Sequence, residues 1–141
     1  MRNELTSEWD SRGVKEGKEY AILTDEISKA WSGMTTRQYK NFKGLKKENL
    51  RDNMSLMELT LNQLAEVTTT AISKKEKPQT FEESKTVARS GGEVAGIARR
   101  EAEKRTGKPV ITPKKAIDFS QIIIDMIEEK DNKTTTPEKE K

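Results

Sequence analysis

The chain has 141 residues, of which 31% are hydrophobic and 36% charged, and its net charge is +3. This length suits one domain with a modest core, although the composition is less apolar and more charged than that of an average globular protein. Because the sequence contains neither Cys nor His, disulfides, thiolate or imidazole metal sites, Cys nucleophiles and His general bases are excluded.

The first two predicted elements are short helices. Residues 2–12 have helical periodicity, with Leu5 and Trp9 on one face. The stretch YAILTDEISKAWSG then predicts a helix that is capped by Thr24 and ended by Gly33.

The segment from Thr35 to Met54 is the most basic part of the chain. Six basic side chains against two acidic ones give it a local charge of +4, which exceeds the +3 of the whole chain. Because Lys and Arg gain affinity for phosphates by releasing counterions, the segment predicts a surface for an anionic partner. A solvated basic face beside a core stripe is an equal alternative. The six residues are Arg37, Lys40, Lys43, Lys46, Lys47 and Arg51.

The same segment predicts two short helices around a glycine. Thr35 or Thr36 is expected to cap the first, which would turn Tyr39 and Phe42 inward and its basic side chains outward until Gly44. The lysines of the second and Arg51 are expected to face solvent. Such a junction can present N–H groups and basic side chains to phosphate, but ordinary helical corners that bind no nucleic acid look the same.

The strongest predicted helix follows. Ser55 and Glu58 form a capping box that opens it, and Pro78 prevents its continuation. Its broad apolar surface predicts the central core helix. The residues of that surface are Leu56, Leu59, Leu61, Leu64, Ala65, Val67 and Ile72.

Thr80 and Glu83 form another capping box, which opens a helix interrupted by Gly91 and Gly92. Each interior glycine costs about 1 kcal/mol relative to alanine, so the pair requires a reason. A bend, a break, or the close approach of another backbone or of a phosphate would supply one. A packing contact or kink is favoured, because the glycine spacing matches no phosphate-binding motif.

A second basic cluster lies near the end of this helix. Part of its charge complements the helix dipole, and the rest provides further candidates for nucleic-acid binding. These candidates are Arg99, Arg100 and Arg105.

The last predicted helix has an apolar stripe beside acidic residues. A late helix of this kind either packs back on its domain, which we favour, or binds another chain. Self-association is therefore the alternative. The candidate interface residues are Ile122, Ile123, Met126 and Ile127.

Taken together, these elements predict a mainly α fold, a compact bundle of about five to six helices with short connectors. We expect the domain to span residues 1–130 and a disordered polar tail to span residues 131–141. No apolar run approaches the roughly 20 residues of a membrane span, and the N-terminus lacks a signal-peptide core. The expected location is the cytoplasm.

The acidic residues match no catalytic or metal-binding pattern. Neighbours such as Glu82 and Glu83 point away from one another on a helix, and the spacing of a calcium loop is missing. The serines have no histidine base. We therefore predict a binding module without cofactor or metal rather than an enzyme.

Four stretches of the sequence carry a family resemblance: RNELTSEW, SRGVKEGKEYAILTDEISKAWSGMT, YKNFKGLKKENLRDNMS and GGEVAGIARREAEKRTGKPVIT. In order and spacing they resemble the C-terminal region of BRO-N prophage proteins, which are phage antirepressors or DNA-damage-inducible protein D-like proteins. The resemblance covers roughly residues 2–118. The family's N-terminal BRO-N domain, which carries the expected DNA-binding role, is not present in this sequence.

The resemblance implies a regulatory protein in the cytoplasm of a bacterial or phage-infected cell, and it assigns no catalytic residue. The implied partner is DNA or a DNA-bound protein, such as a repressor or a recombinase. The leading hypothesis is a non-catalytic prophage regulator, antirepressor-like or modulating the DNA-damage response, that uses the basic residues given above. The alternative is a protein-interaction or self-assembly module, including an inhibitor of a host protein, that does not contact nucleic acid.

Overall fold

The structure is a computed structural model that describes residues 2–135, except for the side chains of residues 2, 3, 120, 122 and 129–135. Within this range every regular element is helical, so the prediction of a mainly α bundle is confirmed. A short 3-10 turn, Arg51–Asn53, lies between the third and fourth helices. The helices are α1 (Arg2–Ser11), α2 (Lys18–Ser32), α3 (Thr36–Phe42), α4 (Leu56–Glu76), α5 (Phe81–Thr106) and α6 (Ala116–Thr135).

Side-chain caps begin three of these helices where the sequence predicted them. Thr35 caps α3, Ser55 caps α4 and Thr80 caps α5, each in a capping box that satisfies N–H groups at the helix start. Gly33 ends α2 with a φ of 82°, a left-handed conformation that glycine adopts without strain. The prediction that Thr24 caps α2 is wrong, because this helix already begins at Lys18.

The glycine pair of α5 is a packing contact with two other helices. A Cβ at Gly91 would lie 1.9 Å from Oγ1 of Thr69 in α4, and one at Gly92 would lie 2.6 Å from the carbonyl oxygen of Ile27 in α2. Helix α5 continues through the pair without a break. The two glycines therefore allow α5 to approach α4 on one side and α2 on the other.

Helices α4 and α5 form an antiparallel hairpin, and α1 and α2 cover one side of it. Between them lies the core, in which Trp9 packs on Tyr20 with 5.4 Å between ring centroids. Its largest fully buried apolar side chains are Leu5, Trp9, Leu23, Trp31 and Tyr39.

The inner face of α4 includes Leu61 and Ala65, which are buried as predicted, but its other buried residues are polar, which corrects the rest of the predicted apolar surface. Leu56 is 80% exposed and Val67 is 44% exposed, whereas Thr69 and Ser73 are buried. Thr69 donates its hydroxyl hydrogen to the carbonyl oxygen of Ala65 at 2.8 Å, so its polarity is satisfied inside the helix. Small side chains allow the neighbouring helices to approach closely, which larger leucines would prevent.

Helix α6 projects from the bundle. None of the other described helices packs along it, so the favoured prediction that it packs back on the domain is wrong. It continues to Thr135 and so includes residues 131–135 of the predicted tail, while residues 136–141 lie outside the described residues. Among the described residues, no helix combines the length and apolar character needed to cross a membrane.

Candidate nucleic-acid interface and projecting helix

Lys43, predicted to face solvent, is buried in an ion pair. Its ammonium donates a hydrogen bond to Oε1 of Glu58 at 3.1 Å, and both side chains are fully inaccessible. The same ammonium donates to the carbonyl oxygens of Thr112 and Lys114, at 2.8 and 2.5 Å. Because Lys43 follows Tyr39 by one helical turn, it lies on the inner face of α3. Lys43 therefore holds the segment before α6 and cannot contact a phosphate.

The carboxylate of Glu58 connects this ion pair to the cap of α4 and to α3. It accepts the backbone N–H of Ser55 at 2.9 Å and the hydroxyl of Tyr39. Burial, together with the hydrogen bond to Glu58 and its charge, raises the pKa of the Tyr39 phenol, which therefore remains a neutral donor. All of these interactions are made within the chain, so the network holds α3, the start of α4 and the segment before α6 together.

Two further predictions for this segment are corrected. Arg51 is in the 3-10 turn rather than in a second helix, and its guanidinium donates to Oε1 of Glu66 at 2.5 Å, so it is not left to solvent. Phe42 was expected to point inward but is 47% exposed. A seven-residue α3 has room for few inward positions, and Tyr39 and Lys43 occupy them.

The other four basic residues of the segment line two adjoining cavities. Arg37, Lys40 and Lys46 line a cavity of about 680 Å³ between α2, α3 and the following loop. Lys40 and Lys47 line a second, of about 410 Å³, that also contains the Arg51 and Glu66 pair. Lys40 belongs to both cavities. We call the surface formed by Arg37, Lys40, Lys46 and Lys47 the basic cleft.

The acidic residues of the basic cleft are already engaged by backbone N–H groups. Oδ1 of Asp25 accepts the N–H of Thr36 at 3.0 Å, and Oε1 of Glu48 accepts the N–H of Lys46 at 2.8 Å. These backbone hydrogen bonds lower the pKa of Glu48, and the one from Lys46 has the largest effect. The positive charge of Lys115 also lowers it. The sequence did not single out Lys115, whose position here depends on the long-range contacts of the segment before α6.

None of the residues of the second basic cluster lines either cavity of the basic cleft. Arg99 donates to the carbonyl oxygen of Trp31 at 2.9 Å and to Glu103 at 3.1 Å. Arg105 donates to Glu101 at 2.6 Å. Arg100 is exposed. Two of the three predicted binding arginines thus have partners within the chain.

Helix α6 exposes the predicted interface residues. Ile123, Met126 and Ile127 are 58%, 63% and 55% exposed, and the side chain of Ile122 lies outside the described residues. Ile117 and Ile124 add to this apolar surface. A helix with so many bulky apolar side chains in water is typical of an interaction surface.

Within the described residues, no cluster of three or more acidic side chains is placed to hold a metal ion. Comparison of the chain with protein-family models, curated proteins and solved structures gave no match. The resemblance to the C-terminal region of BRO-N prophage proteins therefore stays a prediction.

Proposed function

We propose that this protein is a non-catalytic regulator that binds nucleic acid, or a nucleoprotein, through the basic cleft. The observation that carries the proposal is the position of Lys40 between two adjoining cavities, one also lined by Arg37 and Lys46 and the other by Lys47. Four cations along one cleft suit successive phosphates better than a single small anion.

The acidic side chains of the basic cleft form hydrogen bonds with groups other than its four basic side chains. Asp25 and Glu48 accept backbone N–H groups, and Glu66 accepts Arg51. The ammonium and guanidinium groups of the cleft are thus free to approach phosphate oxygens. Contacts of this kind position a nucleic acid without reading its sequence, so we expect little base specificity.

The regulatory part of the proposal depends on the family resemblance. A prophage regulator of the antirepressor or DNA-damage-inducible protein D type would contact DNA or a DNA-bound repressor or recombinase. A basic cleft serves either target, because a protein already on DNA offers neighbouring phosphates.

Fluorescence anisotropy with labelled single- and double-stranded DNA, at about 50 and 200 mM salt, tests the proposal. We expect binding at the lower salt concentration and a loss of at least tenfold in affinity for K46A/K47A. The matched control K74A/K77A removes two exposed lysines at the other end of α4 and should bind as the original chain does. No binding to either DNA at low salt would refute the proposal.

A second candidate function is self-assembly through α6, favoured by its exposed apolar side chains. We infer that this surface is covered in an oligomer, because isolated apolar surface of this extent favours association. Light scattering of the full chain and of a chain ending at Phe119 tests it. The full chain should be oligomeric and the shortened one monomeric; two monomers would refute this candidate.

A further inference from the structure

The hairpin of α4 and α5 has an exposed apolar face opposite α1 and α2. Val94 and Ile97 of α5 are 42% and 56% exposed, and Met57 and Leu64 of α4 are 44% and 37% exposed. We call these four residues the hairpin face. They are large apolar side chains of two long helices that are otherwise well packed, so their exposure needs an explanation.

Helical register places all four residues on the same side. On α5, Val94 and Ile97 lie away from Gly92, which contacts α2. On α4, Met57 and Leu64 lie away from Ser73, which donates a hydrogen bond to Glu8 of α1 at 2.7 Å.

The contact between Thr69 and Gly91 shows which residues of α4 and α5 lie at the same height along the hairpin. Because the two helices are antiparallel, counting outward from this contact brings Leu64 and Ile97 to nearly the same height, with Val94 beside them. Met57 extends the surface towards the start of α4. The hairpin face is therefore a continuous apolar strip and not four scattered side chains.

The same chain contains an element that matches this strip. Helix α6 has 20 residues and α4 has 21, so each is about 30 Å long. The polar side of α6 carries Asp118, Asp125 and Glu128, and the basic residues of this helix, Lys130 and Lys133, lie within its last six residues. The hairpin face has the exposed lysines Lys75 and Lys104 near its two ends, and the nearby Glu101 is paired with Arg105. Apolar surfaces and opposite charges thus fit together.

Two other ways of covering α6 are less favourable: packing against a second α6 and packing on the hairpin of its own chain. Two α6 helices packed in parallel would bring their acidic residues to the same level, which disfavours that pairing. In the structure α6 does not pack along its own hairpin, and hydrogen bonds hold its start on the body. Asn53 Oδ1 accepts the N–H of Ala116 at 2.7 Å, and Lys43 holds the carbonyl oxygen of Lys114 at 2.5 Å.

We propose that the hairpin face receives α6 of a second copy of this chain. The proposal rests on the self-assembly candidate and adds the acceptor surface to it. If each of two copies inserts its α6 into the other, the result is a closed dimer. If each copy instead inserts its α6 into the next one, the assembly is open-ended.

Two variants of the full chain test separately the helix that is inserted, α6, and the surface that receives it, the hairpin face. I124E/I127E places charge on the apolar side of α6, and I97E places it on the hairpin face; all three positions are exposed, so the fold should persist. Each variant alone should be monomeric by light scattering. An equimolar mixture should form a complex of two chains, because each supplies the surface that the other lacks.

Circular dichroism and urea unfolding establish that both variants are folded, and L64E is a second acceptor variant should I97E lose stability. The control L56E changes a residue that is 80% exposed on another side of α4 and should assemble as the original chain does. An I97E chain that still assembles, with a mixture that gains nothing, would overturn the inference while leaving self-assembly intact. An original chain that is monomeric at high concentration would overturn both.

Discussion

The ammonium of Lys43 and the carboxylate of Glu58 meet at 3.1 Å in the interior, with neither side chain accessible to solvent. This pair joins α3 to the start of α4, and Lys43 also binds the carbonyl oxygens of Thr112 and Lys114. Lys43, together with Asn53, therefore fixes where α6 leaves the body. Burying two charges is costly, so the pair depends on these additional hydrogen bonds.

Replacing Lys43 with methionine should lower the free energy of unfolding by about 3 to 5 kcal/mol, because the buried carboxylate of Glu58 loses its counter-charge. Urea unfolding measures the loss. K47M, which changes an exposed lysine of the same segment, is the matched control and should change stability by about 0.5 kcal/mol or less. Equal stability of K43M and K47M would contradict the buried pair.

The sequence predicted the starts of α3, α4 and α5 because capping boxes are local: the side chain and the N–H that it satisfies are three residues apart. It missed the role of Lys43 because that role depends on partners far along the chain. A lysine in a basic segment is normally solvated. The one available indication was the spacing of Lys43 from Tyr39, one turn apart on the inner face of α3.

Part of the inner face of α4 was mispredicted for a related reason, although Leu61 and Ala65 are buried as expected. Apolar periodicity favours leucines as the inner face, but here α5 approaches through Gly91, and only small side chains such as Thr69 fit opposite a glycine. The tightest packing therefore selects threonine and serine, and Leu56 and Leu64 remain on the outside. Sequence also cannot distinguish a helix that packs on its own domain from one that packs on another chain, which is why α6 was assigned to the bundle.

Gly91→Ala should lower the free energy of unfolding by about 3 kcal/mol, which is at the upper end of the usual cost of overpacking a core. The new Cβ would meet the Cα of Thr69 at 2.7 Å as well as its Oγ1, so a side-chain rotation cannot relieve the clash. Thermal unfolding measures the effect, and S90A on the exposed side of α5 is the control. Rescue of G91A by T69S would contradict a backbone contact.

In the basic cleft, Lys40→Ala should weaken DNA binding equally for different sequences and reduce the slope of log affinity against log salt by about 1. The reason is the loss of one phosphate contact together with the counterion released there. Anisotropy titrations at several salt concentrations give the slope. R105A is the comparison, because Arg105 pairs with Glu101 outside the cleft, and its slope should not change. A larger effect for R105A than for K40A would place the binding surface on the second cluster.

The ion pair of Glu26 and Arg89 should make stability depend on pH below neutrality. The hydrogen bond from Arg89 lowers the pKa of Glu26 below its usual 4.5. Since the folded pKa is lower than the unfolded one, the stabilisation is fully present above pH 4.5 and is lost as the pH falls through the lowered value.

The variant E26Q replaces the titrating carboxylate with a neutral amide. Its stability should therefore be below that of the original chain at pH 7, and the difference should shrink as the pH falls towards 3. Urea midpoints across this pH range measure both quantities. A gap for E26Q that widens with acid would contradict the assigned direction.

Asn53 should protect the start of α6 from hydrogen exchange. Its side-chain oxygen accepts the N–H of Ala116 at 2.7 Å, and Asn53 is itself buried. Asn53→Ala removes the acceptor, so the Ala116 amide should exchange about fivefold faster, equivalent to a hydrogen bond of about 1 kcal/mol. Asn53→Asp keeps an oxygen at the same position and should retain the protection, although it loses the hydrogen bond to the carbonyl of Asn49. If both variants accelerate exchange equally, the protection comes from general packing of the turn and not from this acceptor. If only the alanine variant does, the hydrogen bond to Asn53 is what fixes α6 to the body at Ala116.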